Sequence, residues 1–108
     1  MLLENFRSKK LLSMAKDAPY CFSCGKSNEG DIVSAHSNQL IDGKGKGIKA
    51  SDYRIAFLCS KCHNLVDFSS KHSKEERKQL WETAHRATIG WLFNSGRVKI
   101  VDPPKYDL

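Results

Sequence analysis

Four cysteines, arranged as two pairs, constrain the fold of this chain more than any other feature. Each pair has the C-x2-C spacing, Cys21 with Cys24 and Cys59 with Cys62. This spacing suits one tetrahedral four-cysteine zinc site that closes the long loop between the pairs. A chain of 108 residues is short of a large hydrophobic core, so a structural zinc ion would help to stabilise it.

Disulfide bonds are the alternative interpretation of the same cysteines. The N-terminal sequence MLLENFRSKKLL interrupts its short apolar pairs with charge, unlike a secretory signal peptide. The sequence also lacks an apolar run of about 18 residues, the length that a membrane span needs. We therefore expect a cytoplasmic protein with no membrane partner, in a reducing compartment where paired cysteines bind metal more often than they oxidise.

The charge of the chain favours an anionic partner such as nucleic acid. Lys and Arg outnumber Asp and Glu by 18 to 12, for a formal net charge of +6. A merely soluble basic surface would have the same balance, so the position of the charges matters. In the segment GKGKGIK, glycines alternate with Lys44, Lys46 and Lys49. Such a loop can bring backbone N–H groups and lysines to phosphates, although a mobile solvated hairpin tip is the alternative.

The order of elements predicts a single small α+β domain. Residues 1–18 are predicted to form a basic N-terminal helix. Residues 19–72 contain the cysteines. In this part the pattern predicts a short strand ending at His36, an apolar strand over 53–59 and a short helix from about Lys61. A long helix is predicted over 73–96, with a capping box at its start and Gly96 at its end. The segment VKIV could add a strand, and 97–108 reads as a loose tail.

Two apolar faces are predicted on the long helix. The core stripe consists of Leu80, Ala84, Ala87 and Trp91. Outside this stripe, Trp81, Leu92 and Phe93 could supply a second apolar face, through which two chains could pair as a homodimer.

A second set of metal-capable side chains follows the second cysteine pair without a gap. His63 and Asp67 are four residues apart and share one face of the predicted helix. The imidazole and the carboxylate can each bind a divalent ion, while the neighbouring cysteines hold zinc. The alternative is that His63 is an unused neighbour of the zinc site and Asp67 an ordinary surface charge.

The motifs CFSC, SAHSN and LCSKCHNLVD, in this order and with a glycine loop between the last two, resemble those of the HNH, or ββα-metal, nucleases. Over about residues 19–100 the chain resembles the small YbcO-like nucleases of phages and prophages most closely. The resemblance implies a zinc-stapled, treble-clef-like ββα-metal domain with a long C-terminal helix. It also implies hydrolysis of phosphodiester bonds in DNA, in the cytoplasm of a host cell.

The resemblance also implies roles for individual residues. His36 would be the general base, and His63 with Asp67 would hold Mg²⁺ or another divalent ion at the scissile phosphate. Ala35 stands where the superfamily often has a metal ligand, and its middle asparagine is missing. Asp52 is the nearest polar residue to that position and could ligate or orient instead. In another interpretation His36 is itself a metal ligand and the ion alone activates water.

A different class of function fits the same residues. A non-catalytic four-cysteine zinc module would bind nucleic acid or a protein partner, and His36 and His63 would then only support the fold. A redox role is a weaker third hypothesis, because both cysteine pairs are needed for one metal ion. DNA is the expected partner of the nuclease.

Overall fold

Two antiparallel strands lie at the centre of the computed structural model, which describes residues 4–104. Strand β1 (Ile32–His36) pairs with β2 (Ile55–Cys59), and the register joins Ile32 to Cys59 and His36 to Ile55. Every residue of β2 is buried, because helices and the first cysteine turn cover it. The helices are α1 (Lys9–Ser13), α2 (Ser60–Phe68) and α3 (Lys74–Asn94). The predicted α+β class and the strand ending at His36 are confirmed, and the helix predicted from about Lys61 begins at Ser60. The strand predicted over 53–59 begins at Ile55.

Helix α3 begins and ends where the sequence predicts. The Ser73 hydroxyl accepts a hydrogen bond from the Glu76 amide, and the Glu76 carboxylate accepts one from the Ser73 amide, which completes the capping box. At the other end Gly96 has a φ of 77°, a left-handed conformation in which glycine avoids the strain of a side chain. Its amide donates to the Phe93 carbonyl and closes the last turn.

The predicted core stripe of α3 is correct at Ala84 and at the half-buried Trp91, which packs against the core, and wrong at its other two positions. The buried residues are Trp81, Ala84, Thr88 and Leu92, whereas Leu80 and Ala87 are exposed. The reason is that the polar Thr88 faces the core, where its hydroxyl has hydrogen-bond partners. The face of α3 that is buried is therefore rotated about the helix axis from the predicted apolar stripe. Of the predicted second apolar face, Trp81 and Leu92 are part of the core and Phe93 alone is exposed.

The N-terminal segment is mostly not the helix that its pattern predicts. Residues 1–3 of the predicted helix lie outside the described residues, residues 4–8 are not helical, and α1 is followed by a 3-10 turn at Met14–Asp17. Hydrogen bonds to a distant loop explain the difference, since Asn5 Nδ2 donates to the carbonyls of Gly43 and Lys49 at 2.9 and 3.0 Å. Tertiary contacts here outweigh helix propensity.

The C-terminal segment contains no strand in its described part. Residues 98–101, where VKIV predicts one, pair with no other strand, and residues 105–108 of the predicted tail lie outside the described part of the chain.

Within residues 4–104, no helix combines the length and the apolar character that a membrane crossing requires.

A buried hydroxyl joins α3 to the outer edge of β2. Thr88 Oγ1 accepts a hydrogen bond from the Phe57 amide at 3.0 Å and donates one to the Ala84 carbonyl at 2.8 Å. On the same edge the Phe22 amide donates to the Phe57 carbonyl at 3.1 Å. These bonds satisfy strand groups that would otherwise be buried without partners.

We expect Thr88→Val to lower the free energy of unfolding by about 1–3 kcal/mol, because valine has nearly the same shape and leaves the Phe57 amide unpaired. Urea denaturation followed by circular dichroism measures the change. The matched control is Thr83→Val on the exposed face of α3, which should change stability by no more than about 0.5 kcal/mol. Equal effects of the two substitutions would contradict the assigned role of Thr88.

Candidate metal centre and histidine sites

Two different local structures carry the four cysteines. Cys21 and Cys24 lie in a tight turn in which the Gly25 amide donates to the Cys21 carbonyl at 2.9 Å and the Cys21 amide to the Lys26 carbonyl at 2.8 Å. Cys59 is the last residue of β2, and Cys62 lies in the first turn of α2. The turn packs on β2 through the bond between Phe22 and Phe57, and this brings the two cysteine pairs together.

The four sulfur atoms are close enough to share one ion. All lie within 4.8 Å of one another, and Cys24 Sγ is 3.8 Å from Cys59 Sγ. Tetrahedral zinc with bonds of about 2.3 Å would hold its sulfurs about 3.8 Å apart. All four cysteines are free thiols, at a separation that no disulfide bond has. The cluster can therefore hold a metal ion such as zinc.

The electrostatics of the cluster also fit a cation. Burial alone would raise the pKa of the Cys21 thiol, but hydrogen bonds from the backbone of Cys24 and Cys59 lower it to about 7. Burial raises the pKa of Cys59 and Cys62, and the neighbouring thiols raise that of Cys62 further. One thiolate is thus stabilised by the protein, whereas four adjacent thiolates require a cation among them.

A buried carboxylate holds His36 in place at the opposite end of the hairpin. His36 Nε2 lies 2.7 Å from Asp52 Oδ1, and Asp52 is only 3% exposed. The same carboxylate accepts hydrogen bonds from Arg7 Nη1 at 3.1 Å and from the Ser8 amide at 2.7 Å. Burial would raise the pKa of Asp52, but the bonds from His36, Ser8 and Arg7 outweigh it and hold this pKa below its usual range. Asp52 is therefore placed to orient His36.

Sequence reasoning missed the N-terminal partners of Asp52. Arg7 also donates to the carbonyls of Ala50 and Lys49, both at 2.6 Å, so the segment around it fastens the base of the glycine loop. Gly43 lies in this contact with a φ of 93°, and a Cβ atom there would collide with the Asn5 side chain. No local signal could have revealed these contacts, because their partners are about forty residues apart in the sequence.

His63 and Asp67 meet on the surface of α2. His63 Nε2 lies 3.1 Å from Asp67 Oδ2, which confirms that the two side chains share one helix face. The other oxygen of Asp67 accepts a hydrogen bond from Asn38 Nδ2 at 2.8 Å. Asn38 is two residues beyond His36, so α2 runs back from the cysteine cluster towards the end of β1 that carries His36. Asn38 was not predicted as a site residue.

The predicted site residues do not all join one cluster. His36 pairs with Asp52 and His63 with Asp67. A group of three or more His, Cys, Asp or Glu side chains whose ligand atoms lie close together can hold a metal ion. Among residues 4–104 there is one such group, the four cysteines. The pair on α2 therefore offers two ligands of these types, and further ligands would have to come from elsewhere.

The three loop lysines surround a short hairpin closed by hydrogen bonds between Gly45 and Ile48. Lys46 and Lys49 are exposed and Lys44 is half-buried. In the described part of the chain none of their ammonium groups forms an ion pair, whereas Arg7 and Asn5 hold the backbone at the base of the loop. The loop thus presents unpaired positive charge on an anchored backbone.

We expect Cys59→Ser to lose bound zinc and to unfold or aggregate, because the binding energy of a structural metal is also folding energy. Zinc content per chain by atomic emission, together with circular dichroism, measures both effects. Ser23→Ala is the matched control, since it changes an exposed residue of the first cysteine turn without removing a ligand. A folded, soluble and zinc-free Cys59→Ser protein would contradict a structural zinc site.

Comparison of the chain with protein-family models, with curated proteins and with solved structures gives no match.

Proposed function

We propose that the protein is a metal-dependent endonuclease of the HNH type that hydrolyses phosphodiester bonds in DNA. The observation that carries the proposal is the buried Asp52–His36 pair at the end of β1, linked through Asn38 to the His63–Asp67 pair on α2. A histidine with a fixed orientation beside two potential metal ligands is the arrangement that such hydrolysis needs.

His36 acts as the general base. Because Asp52 accepts the hydrogen on Nε2, the other ring nitrogen, Nδ1, keeps its lone pair and can take a proton from water. The hydrogen bonds from Arg7 and Ser8 hold Asp52 in place and keep it ionised, so this tautomer of His36 is maintained. Asp52 is then a positioning residue, and His36 does not need to be a metal ligand.

His63 and Asp67 would hold the catalytic divalent ion. Two adjacent ligands of an octahedral ion with bonds of about 2.1 Å are about 3.0 Å apart, close to the 3.1 Å between His63 Nε2 and Asp67 Oδ2. Mg²⁺ commonly binds through few protein ligands, with waters and substrate phosphate oxygens in the other positions. When bound, the ion would stabilise negative charge at the scissile phosphate.

Zinc in the cysteine cluster would hold together the elements that carry this site. We assign Zn²⁺ to the four cysteines, and the order of β1, β2 and α2 around them supports a treble-clef-like ββα-metal domain. The lysines of the glycine loop follow His36 in the chain and would bind the phosphate backbone of DNA, which carries no sequence information. Pairing of two chains as a homodimer stays a prediction.

One observation favours the non-catalytic alternative. The His63–Asp67 pair gains no third His, Cys, Asp or Glu ligand within residues 4–104, so a divalent ion could bind there too weakly to support cleavage. The protein would then be a four-cysteine zinc module that binds DNA and leaves it intact. Plasmid cleavage with added Mg²⁺ or Mn²⁺ separates the two hypotheses.

We expect two groups of variants to fail in different ways. His63→Ala and Asp67→Ala should lose the catalytic ion while remaining folded, because the cysteines are unchanged. His36→Ala should still bind the ion but cleave plasmid DNA about 100 to 10,000-fold more slowly. Asp52→Asn should also slow cleavage without loss of the ion, since an amide can select the wrong histidine tautomer. Calorimetric titration with Mn²⁺ and plasmid nicking measure the two effects.

His72→Ala is the control for these substitutions, because it removes an imidazole that hydrogen-bonds Ser69 at the start of the α2–α3 connection. It should leave both cleavage and ion binding unchanged. Loss of ion binding in His36→Ala would make His36 a ligand, and normal cleavage by His36→Ala, His63→Ala and Asp67→Ala would refute the proposed site.

We expect replacement of Lys44, Lys46 and Lys49 by alanine to weaken binding to all DNA sequences alike. The logarithm of the binding constant falls linearly with the logarithm of the salt concentration. The slope of this line should become less steep by about one unit for each lysine that binds a phosphate in the unaltered protein. Fluorescence anisotropy at several salt concentrations gives this slope. A matched triple variant at the exposed Lys9, Lys10 and Lys16 makes the same charge change in α1 and in the 3-10 turn that follows it. Equal slopes for the two variants would show that the loop has no special role.

A further inference from the structure

Two adjacent aliphatic side chains project into solvent close to the proposed catalytic base. Leu40 and Ile41 are 80% and 89% exposed and lie in a 3-10 turn, Leu40–Asp42, that begins four residues after His36. Exposed apolar residues are ordinary on a protein surface, so this pair is distinguished by the structured turn that holds it and by the basic residues around it.

A polar network holds this turn rigidly. The Asp42 carboxylate accepts a hydrogen bond from the buried Ser37 hydroxyl at 2.5 Å and forms an ion pair with Arg54 Nε at 2.9 Å. Arg54 also forms an ion pair with Glu82 of α3, and its guanidinium carbon lies 4.8 Å from the centre of the Trp81 ring. Gln39 donates to Glu82 at 2.8 Å. The exposure of Leu40 and Ile41 is therefore built into the fold.

The surroundings of the turn are basic. Leu40 and Ile41 line a cleft of about 590 Å³ together with Lys74, Arg77 and Lys78 of α3, and Glu75 is its one acidic lining residue. Lys44, Lys46 and Lys49 follow the turn in the chain. An apolar tip with basic residues in its cleft and in the loop that follows it matches a partner that offers both phosphates and apolar faces.

We propose that Leu40 and Ile41 form an apolar wedge that enters a base step of duplex DNA and unstacks it beside the cleavage site. Aliphatic side chains inserted in this way kink DNA at a free-energy cost that depends on how easily the step unstacks. The inference rests on the proposed function, since it takes DNA as the substrate, and it specifies the form of DNA. A step already weakened by a mismatch should bind more tightly than a fully paired one.

Binding of non-cleaving protein to duplexes that carry 2-aminopurine beside a single mismatch, and to the same duplex fully paired, tests the wedge. The protein is either the His36→Ala variant or the unaltered chain without added divalent ion. We expect 2-aminopurine fluorescence to rise on binding, and the rise to disappear with Leu40→Ala/Ile41→Ala. Without the wedge, the preference for mismatched over paired duplex, expected to be about tenfold, should also disappear.

The matched control is Ile100→Ala/Val101→Ala, which removes a similar exposed apolar pair, 91% and 76% exposed, from the C-terminal segment. It should retain the fluorescence rise and the mismatch preference. The wedge is overturned if the Leu40/Ile41 double variant keeps both, or if the unaltered chain shows neither. Sedimentation that shows self-association abolished only in that variant, with DNA binding unchanged, would assign the pair to a protein interface instead. A lack of plasmid cleavage by the unaltered chain would refute the nuclease and leave the wedge result standing.

Discussion

The convergence of four cysteine sulfurs is the constraint on which the rest of the structure depends. It joins a tight turn, the end of β2 and the first turn of α2, which are distant in sequence. Cys21, Cys59 and Cys62 are buried within the core cluster that also contains Phe57, so the ligands and the hydrophobic core form one unit. Hydrophobic burial is the main favourable term in folding, and a bound metal would add its own folding energy to it directly.

The hairpin carries the cysteine cluster at one end and the proposed general base, His36, at the other. Cys59 pairs with Ile32 at one end of the sheet and His36 with Ile55 at the other, four residues along each strand. At about 3.3 Å per residue, the cluster and the histidine are on the order of 13 Å apart along the strands. Helix α2 starts at the cluster and returns towards His36, and its Asp67 contacts Asn38, two residues beyond His36.

Two polar networks hold the end of the hairpin that carries His36. Asp52 holds His36 and is itself held by Arg7 and Ser8, while a second network around Arg54 supports the turn that carries Leu40 and Ile41. Buried polar groups of this kind are costly unless fully paired, and when paired they specify one geometry. The carboxylates of Asp52 and Asp42 hold the proposed base and the proposed DNA wedge respectively, and a backbone hydrogen bond from Ser51 to Asp42 connects the two networks.

Local spacing in the sequence determined much of this protein: the two cysteine pairs, the capping box at Ser73, the stop at Gly96, the strand ending at His36, and the shared face of His63 and Asp67. Each depends on residues within a few positions of one another, where backbone geometry alone sets the neighbours. The tertiary structure alone decided that Arg7 and Ser8 bind Asp52, that Thr88 and not Ala87 faces the core, and that Leu40 and Ile41 remain outside it. Such contacts join residues some thirty to forty-five positions apart, and only the path of the folded chain brings these partners together.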